Sequence, residues 1–497
     1  MTAFNFETPS RQSAKGIVVI LGVGIYKLVK ATIILIVAFL FKYFQSKKSI
    51  DFTHPVVIAS FIGLLFIFLL LAILRYRNFK FHVNEEYFIL KKGVINKEEV
   101  SVAKGKIQNV YIKQNVLQQL INVVSLAIET AGDDKTEIEI TALSRAKANA
   151  LKELLLSGDK SNFEDNKIET VDPIFFKASF KRILLEGISE NHLKSFVLVF
   201  GFIVGVYNDL KEFIEQLSIS KEFSSWFSLD SESFISLLVF NLSIVVLLLV
   251  LSFMLSLVRV LIQNFNLTVT RSEKGLEISK GLFNKINLGL IASRIQTTTV
   301  STNRLKGVMG LYQLAFTQAM VNKKQRKKFN IIGLSKAQIN ELLNQFYPEV
   351  LSNNTANKPD MYFVYRVVFL SIIPIILINI GFVFLPKLFF FLNIPILGFI
   401  GLSIYFAYKK KYYSIDDHYI IVGGGGLIDK TTSYLETSKI QAVSINQTIF
   451  QKRRGLASVK VFSASKSLVI PHIVMTSAQD IKNYLLYKVE SEDKDWM

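Results

Sequence analysis

Lys106-Ile107-Gln108 recurs as Arg294-Ile295-Gln296 and as Lys439-Ile440-Gln441, and the spacings around it recur too. A glycine stands fourteen residues before each isoleucine, at Gly93, Gly281 and Gly426. Each glycine is followed by two apolar residues and then Asn or Asp: Val94-Ile95-Asn96, Leu282-Phe283-Asn284 and Leu427-Ile428-Asp429. Fifteen residues after the isoleucines stand Asn122, Gly310 and Gly455. A register kept three times marks a tandem repeat. The copies lie 188 and 145 residues apart, too far for stacked solenoid units. They read as separate small domains with other structure between them.

Composition says what lies between. The 497 residues are 51% hydrophobic and 12% aromatic, with a mean hydropathy of +0.37. The excess is concentrated in uncharged runs: 56–74 (19 residues), 234–258 (25), 367–385 (19) and 388–408 (21). A helix crossing the hydrocarbon core needs about 20 such residues, so each run predicts a transmembrane helix. Residues 195–208 form a shorter uncharged run that spans if Lys194 and Lys211 snorkel to the headgroups. Near the N-terminus the apolar sequence is split by Lys27 and Lys30, which predicts an interfacial segment over 16–26 and a span over 28–44. A signal peptide fits poorly, because no small-x-small cleavage site follows the interrupted run.

The expected architecture is therefore a mixed membrane protein of three transmembrane helix pairs alternating with three soluble modules. The pairs are 28–44 with 56–74, 193–210 with 234–258, and 364–385 with 388–408. The divisions are 1–75 for the N-terminal segment and first pair, 76–157 for module 1, 190–262 for the second pair, 263–350 for module 2, 361–408 for the third pair and 409–490 for module 3.

Helix pairs return the chain to the side it left, so all modules and both termini are expected on one side. Arg75, Arg77, Lys177, Lys181, Arg182, Arg259, Arg366 and Lys409-Lys410-Lys411 flank the module ends of the spans. The opposite loop 208–233 carries six carboxylates against two lysines. By the positive-inside rule the modules face the cytoplasm, although Lys42, Lys47 and Lys48 argue the other way. The chain has no cysteine, which excludes a disulfide framework without fixing a compartment.

Within module 1, strand-like runs occupy 79–83 and 87–90, joined by Asn84-Glu85-Glu86, then 100–102, 107–112, 124–130 and 136–140. After these, Leu143, Ala146, Ala150, Leu151 and Leu154 follow helical spacing. Modules 2 and 3 repeat the plan, with Ser335/Gln338 and Thr476/Gln479 as capping-box pairs at their closing helices. Six or seven strands and one final helix in some 80 residues describe a small open β-barrel plugged by a helix.

These features together resemble the bacterial membrane proteins of the YdbS/YdbT type, which carry bacterial pleckstrin-homology-like (bPH2) domains, formerly a domain of unknown function (DUF304). The likeness covers nearly the whole chain, including the lead Phe6-x-x-Pro9-x-Arg11-Gln12-Ser13. It implies a pleckstrin-homology-like (PH-like) barrel at the membrane face in each module. It also implies a smaller homologous membrane partner of the YdbS type and, for some relatives, protection against membrane-active bacteriocins. Asn122 in place of glycine and the run Gly423–Gly426 depart from the pattern and read as loop variation.

Chemistry is sparse. Gly93, Ile107, Gln108, Gly281, Ile295, Gln296, Gly426, Ile440 and Gln441 are a recognition element on one reading. Recurrence across internal repeats favours the other, that they determine the fold. Gly423–Gly426 with Lys430-Thr431 lacks the glycine before the lysine and the helix N-terminus that a phosphate loop needs. Five scattered histidines and no cysteine exclude a metal site by spacing, and no cofactor is expected. No nucleophile elbow or carboxylate pair signals an enzyme. The four longest spans carry amides rather than ionisable groups, among them Asn241, Asn379 and Asn393, which leaves a transporter accessory subunit as the rival function.

Charge is the remaining signal. The net charge of +19 is concentrated in modules 2 and 3, with Lys323, Lys324, Arg326, Lys327, Lys328, Lys452, Arg453 and Arg454 as candidate contacts to anionic lipids. No interleaved aromatic platform accompanies them, so nucleic acid is not an expected partner. The expectation is a non-enzymatic scaffold on the lipid bilayer at the inner leaflet, serving envelope stress or bacteriocin protection.

Overall fold

The computed structural model describes residues 4–28, 55–130, 137–156, 173–192, 195–202, 205, 234–272, 275–318, 329–348, 356–383 and 387–491. Module 1 builds a first sheet from β1 (Ser10–Arg11), β2 (Lys80–Val83), β3 (Tyr87–Lys92) and β4 (Glu98–Ala103). Side chains alternate across it: Phe81, Val83, Phe88 and Leu90 point inward and are fully or almost fully buried. A second sheet comprises β5 (Ile107–Gln114), β6 (Val124–Thr130) and β7 (Glu137–Leu143), closed by the helix Arg145–Leu156.

Module 2 repeats this with β8 (Ile174–Lys177), β9 (Thr268–Ser272), β10 (Gly275–Lys280) and β11 (Lys285–Ile291). Its second three strands are β12 (Ile295–Asn303), β13 (Tyr312–Gln318) and β14 (Asn330–Leu334), followed by the helix Lys336–Phe346. Module 3 uses β15 (Tyr412–Ile415), β16 (Tyr419–Gly425), β17 (Asp429–Glu436), β18 (Ile440–Asn446), β19 (Leu456–Ser463), β20 (Ser467–Val474) and the helix Met475–Ser491. In each module a single 3-10 turn separates the two sheets, at Lys104–Lys106, Ala292–Arg294 and Thr437–Lys439. That turn delivers Ile107, Ile295 and Ile440 into the cores as buried residues.

Among the described residues the sheets of each module are open. The edge that closure would pair is taken by the next module. β5 pairs with β11 and β12 pairs with β17, giving continuous sheets of seven and six strands, β7-β6-β5-β11-β10-β9-β8 and β14-β13-β12-β17-β16-β15. The core of module 2 correspondingly takes in Tyr111 and Ala127 from module 1, and Ile421 and Tyr434 from module 3.

A short lead strand precedes each membrane excursion and pairs with the strand that follows it: β1 with β2, β8 with β9, and Asn357 with Tyr413. Between them run apolar helices: Gly16–Leu28, then Pro55–Asn78, Phe234–Gln263, Tyr362–Val383 and Asn393–Lys409. Three stretches are long and apolar enough to cross a bilayer among the described residues, Leu242–Gln263, Tyr362–Val383 and Phe390–Lys409. The span expected over 28–44 lies outside the described residues except for Leu28; of the one over 193–210, residues 195–202 and 205 are described and helical.

Two local expectations shift. The closing helix of module 1 buries Ala148, Leu151 and Leu155, while Ala146 and Leu154 are exposed. Leu143 ends β7, so helical phase starts afresh two residues later. Ser335 and Gln338 form the expected capping box, but Thr476 lies inside its helix, which already begins at Met475.

The repeat glycines divide as well. Gly93 and Gly281 both have φ +109°, and a Cβ on either would overlap the carbonyl oxygen of Asn96 or Asn284. In module 3 that role moves one residue earlier, to Gly425 (φ +151°), and Gly426 borders open space. The ring of Tyr412 lies across Gly423 from the facing strand. The glycine run is thus a strand end. Gly281→Ala is expected to cost about 1–3 kcal/mol and Gly426→Ala close to nothing, as read by pulse proteolysis of the full chain in nanodiscs.

Candidate functional site: a cationic, apolar-tipped membrane face

Each module carries a single-turn helix after the first strand of its second sheet: Val116–Leu120, Arg304–Val308 and Ile449–Lys452. Asn115, Asn303 and Thr448 cap them by accepting the backbone N–H three residues on. These turns present large apolar side chains outward: Leu120 is 77% exposed, Val308 90% and Ile449 74%. Exposure of that kind beside transmembrane helices fits insertion into the interfacial region. Leu117 packs over Gly22 of the helix Gly16–Leu28, and the Phe450 ring lies 6.4 Å from that of Phe369 in Tyr362–Val383.

Cations and aromatic rings stand beside the turns of modules 2 and 3. The Arg304 guanidinium sits 4.0 Å from the Phe406 ring centroid. Arg454 lies 5.1 Å from Tyr362 and 5.3 Å from Tyr365, and Lys409 5.9 Å from Tyr405. Aromatic side chains at the ends of spans, with basic groups beside them, define the bilayer–water interface. Lys452 and Arg453 continue from the apolar turn of module 3. Lys323, Lys324, Arg326, Lys327 and Lys328 lie outside the described residues.

A second basic feature is invisible in sequence. Arg11, Arg77, Lys80, Lys91, Lys92 and Lys97 line an open hollow of about 560 Å³ together with Glu98 and Glu99, which pair with Lys92 at 3.4 Å and Lys91 at 3.1 Å. Adjoining it is a more apolar hollow of about 530 Å³, lined by Val19, Ile20, Val23, Leu71, Phe79 and Ile95. Lys92 and Glu98 border both. The six cations come from three separated segments, so no run of charge announces them.

Beneath the module 2 turn lies a buried ion pair. Lys306 Nζ is 2.5 Å from Glu186 Oε1 and 3.0 Å from Glu190 Oε2, with Lys306 and Glu186 almost fully buried. Asn303 donates to the Ser189 carbonyl at 2.6 Å, so the module is fixed to the helix Phe180–Ile188 (N-cap Ser179) that leads to the second membrane segment. Burial pushes the Glu186 carboxyl up. Burial also works against the Lys306 ammonium, but the two carboxylates outweigh it and hold the charge.

In module 3 the equivalent anchor is neutral. Gln451 donates to His472 Nδ1 at 2.8 Å, and the imidazole meets Tyr362 edge-on at 5.1 Å. Burial, reinforced by Arg366, lowers the His472 pKa below 6.5.

The repeat motif is placed differently from a ligand site. The three isoleucines are buried in different cores, and Arg294, Lys439 and Gln296 reach across the seams. Arg294 Nη1 donates to the Ile107 carbonyl at 3.4 Å, and Lys439 Nζ to the Ser293 carbonyl at 3.0 Å. Gln296 is buried and accepts from the Ala464 N–H at 3.3 Å, whereas Gln441 is exposed. The motif residues thus lie in three separate modules, with Gly93 at the hollows of module 1. In the third helix pair Asn379 and Asn393 donate to each other at 3.0 and 2.7 Å, which joins the two helices.

Three segments of the chain, 19–158, 226–350 and 368–489, match the bacterial PH domain. The chain belongs to this family. It is also 21% identical over 455 residues to the UPF0699 transmembrane protein YdbT of Bacillus subtilis (strain 168), covering 86% of this chain and 89% of that protein. With this domain repeated along it and three helices long and apolar enough to cross a bilayer among the described residues, it is a membrane protein.

Lys306→Met is expected to leave Glu186 buried without a partner and to cost about 3–5 kcal/mol; Lys306→Met with Glu186→Leu should recover most of it, as measured by pulse proteolysis. Below pH 6.5 the unfolded chain binds a proton at position 472 that the folded module resists, so stability falls as pH drops. Hydrogen exchange over 456–474 should show this loss, and His472→Asn should flatten it.

Proposed function

We propose that this protein is a multi-pass, non-enzymatic scaffold of the bacterial cytoplasmic membrane, whose three PH-like modules grip the inner leaflet as one linked unit. On this reading three helix pairs hold the modules, and both termini lie in the cytoplasm. The observation that supports it best is the set of apolar turns with cations and aromatic rings beside them in modules 2 and 3. Three modules that dip side chains into one leaflet, while a seam holds them together, suit a binding surface rather than a reaction centre. The basic hollow beside an apolar one in module 1 matches the two ends of an anionic phospholipid. Protection of the envelope and a smaller homologous membrane partner are parts of this proposal that follow from kinship.

Basic side chains near a leaflet contribute about 1 kcal/mol each. Replacing Lys452, Arg453 and Arg454 with Gln in the full chain should therefore weaken its preference for anionic over neutral spin-labelled lipid by tenfold or more in nanodiscs. The difference should shrink at high salt. An unchanged preference at low salt would refute lipid docking by module 3.

A further inference from the structure

The two seams within the chain are the same joint. Gln114↔Lys285, Lys113↔Ile286 and Ile112↔Asn287 join module 1 to module 2. Advanced by the repeat spacings of 188 and 145, these become Thr302↔Lys430, Ser301↔Thr431 and Val300↔Thr432, which are the pairs observed between modules 2 and 3. The motif cations repeat as well, Arg294 and Lys439 each reaching back to a carbonyl of the preceding module. Each joint sets the first strand of one module's second sheet against the last strand of the next module's first sheet.

Applied once more, this rule leaves two edges. β4 occupies the place of β11 and β17, yet among the described residues it pairs with β3 alone. β18 occupies the place of β5 and β12, and pairs with β19 alone. Lys106, the motif cation of module 1, is exposed, and so is Gln441, the motif amide of module 3. The closing helix does not obstruct the edge, because Arg145–Leu156 packs on β5 and β6 just as Met475–Ser491 packs on β18 and β19, and β5 still receives β11.

We propose that β18 of one molecule pairs antiparallel with β4 of a second copy of this chain, extending the seam from molecule to molecule. The occupant is a second copy because one chain carries both halves of the joint. The repeat register fixes the alignment: Ala442 opposite Val102, Val443 opposite Ser101, Ser444 opposite Val100, Ile445 opposite Glu99. Lys106 would then face the Ser438 carbonyl of the preceding copy, as Lys439 faces Ser293 within the chain. The contact is head-to-tail, so it generates a ring or a file along the membrane rather than a two-fold dimer.

The chain has no cysteine, so engineered pairs report cleanly. Full-length Ser444→Cys and Val100→Cys proteins, differently tagged and co-reconstituted in liposomes, are oxidised; Val443→Cys with Ser101→Cys tests the adjacent site, since neighbouring positions alternate in disulfide geometry. At least one of the two pairs is expected to give the mixed dimer at tenfold or more the yield of Ser444→Cys with Ala103→Cys, which is three positions out of register. A single chain bearing both substitutions should give a ladder of dimers, trimers and larger species. Failure of both in-register pairs, or equal yield out of register, overturns the proposal. So does recovery of both edges bound to a different protein with no self-cross-link.

Discussion

A β-strand edge exposes a row of N–H and carbonyl groups that must find partners, and in this protein the edges of β5, β11, β12 and β17 find theirs between modules. The pairing of β12 with β17 runs over seven consecutive residue pairs, more than β12 shares in register with its own neighbour β13. Side chains follow the backbone into the joint. Tyr347, at the end of module 2, accepts or donates with Thr298 at 2.8 Å and stacks edge-on with Tyr419 of module 3. The core of module 2 therefore takes in residues of both neighbours, and two sheets run across the joints from module to module.

Much of this was written in the sequence, for reasons that differ between elements. The apolar runs 56–74 and 234–258 fall within the observed helices Pro55–Asn78 and Phe234–Gln263, because a bilayer leaves little choice of composition. The strand-like run 124–130 coincides with β6, because Gly132-Asp133-Asp134 marks the turn that follows it. Ile107, Ile295 and Ile440 are buried, because a residue fixed at the exit of a recurring turn points where the turn sends it.

The joints were illegible for an equally physical reason. β12 is Ile-Gln followed by three threonines, a pattern that reads as solvent-facing, yet Gln296, Thr297 and Thr298 are buried to about 1% or less. Polar side chains are placed there because two sheets and a neighbouring module supply their hydrogen bonds. The Glu186–Lys306 pair joins residues 120 apart, and the hollow in module 1 gathers cations from three segments. Neither leaves a local trace. Motif recurrence shows that a feature matters to the fold, but not whether it acts inside a module or between two.

The lead strands impose an order on biosynthesis. β8 ends at Lys177 and its partner β9 starts at Thr268, with the apolar helix Phe234–Gln263 between them. The ribosome therefore releases the lead strand long before the strand it pairs with. Pairing of the two brings both ends of the intervening segment to one place, so a sheet that gains its lead strand fixes where the chain between its strands must leave and return.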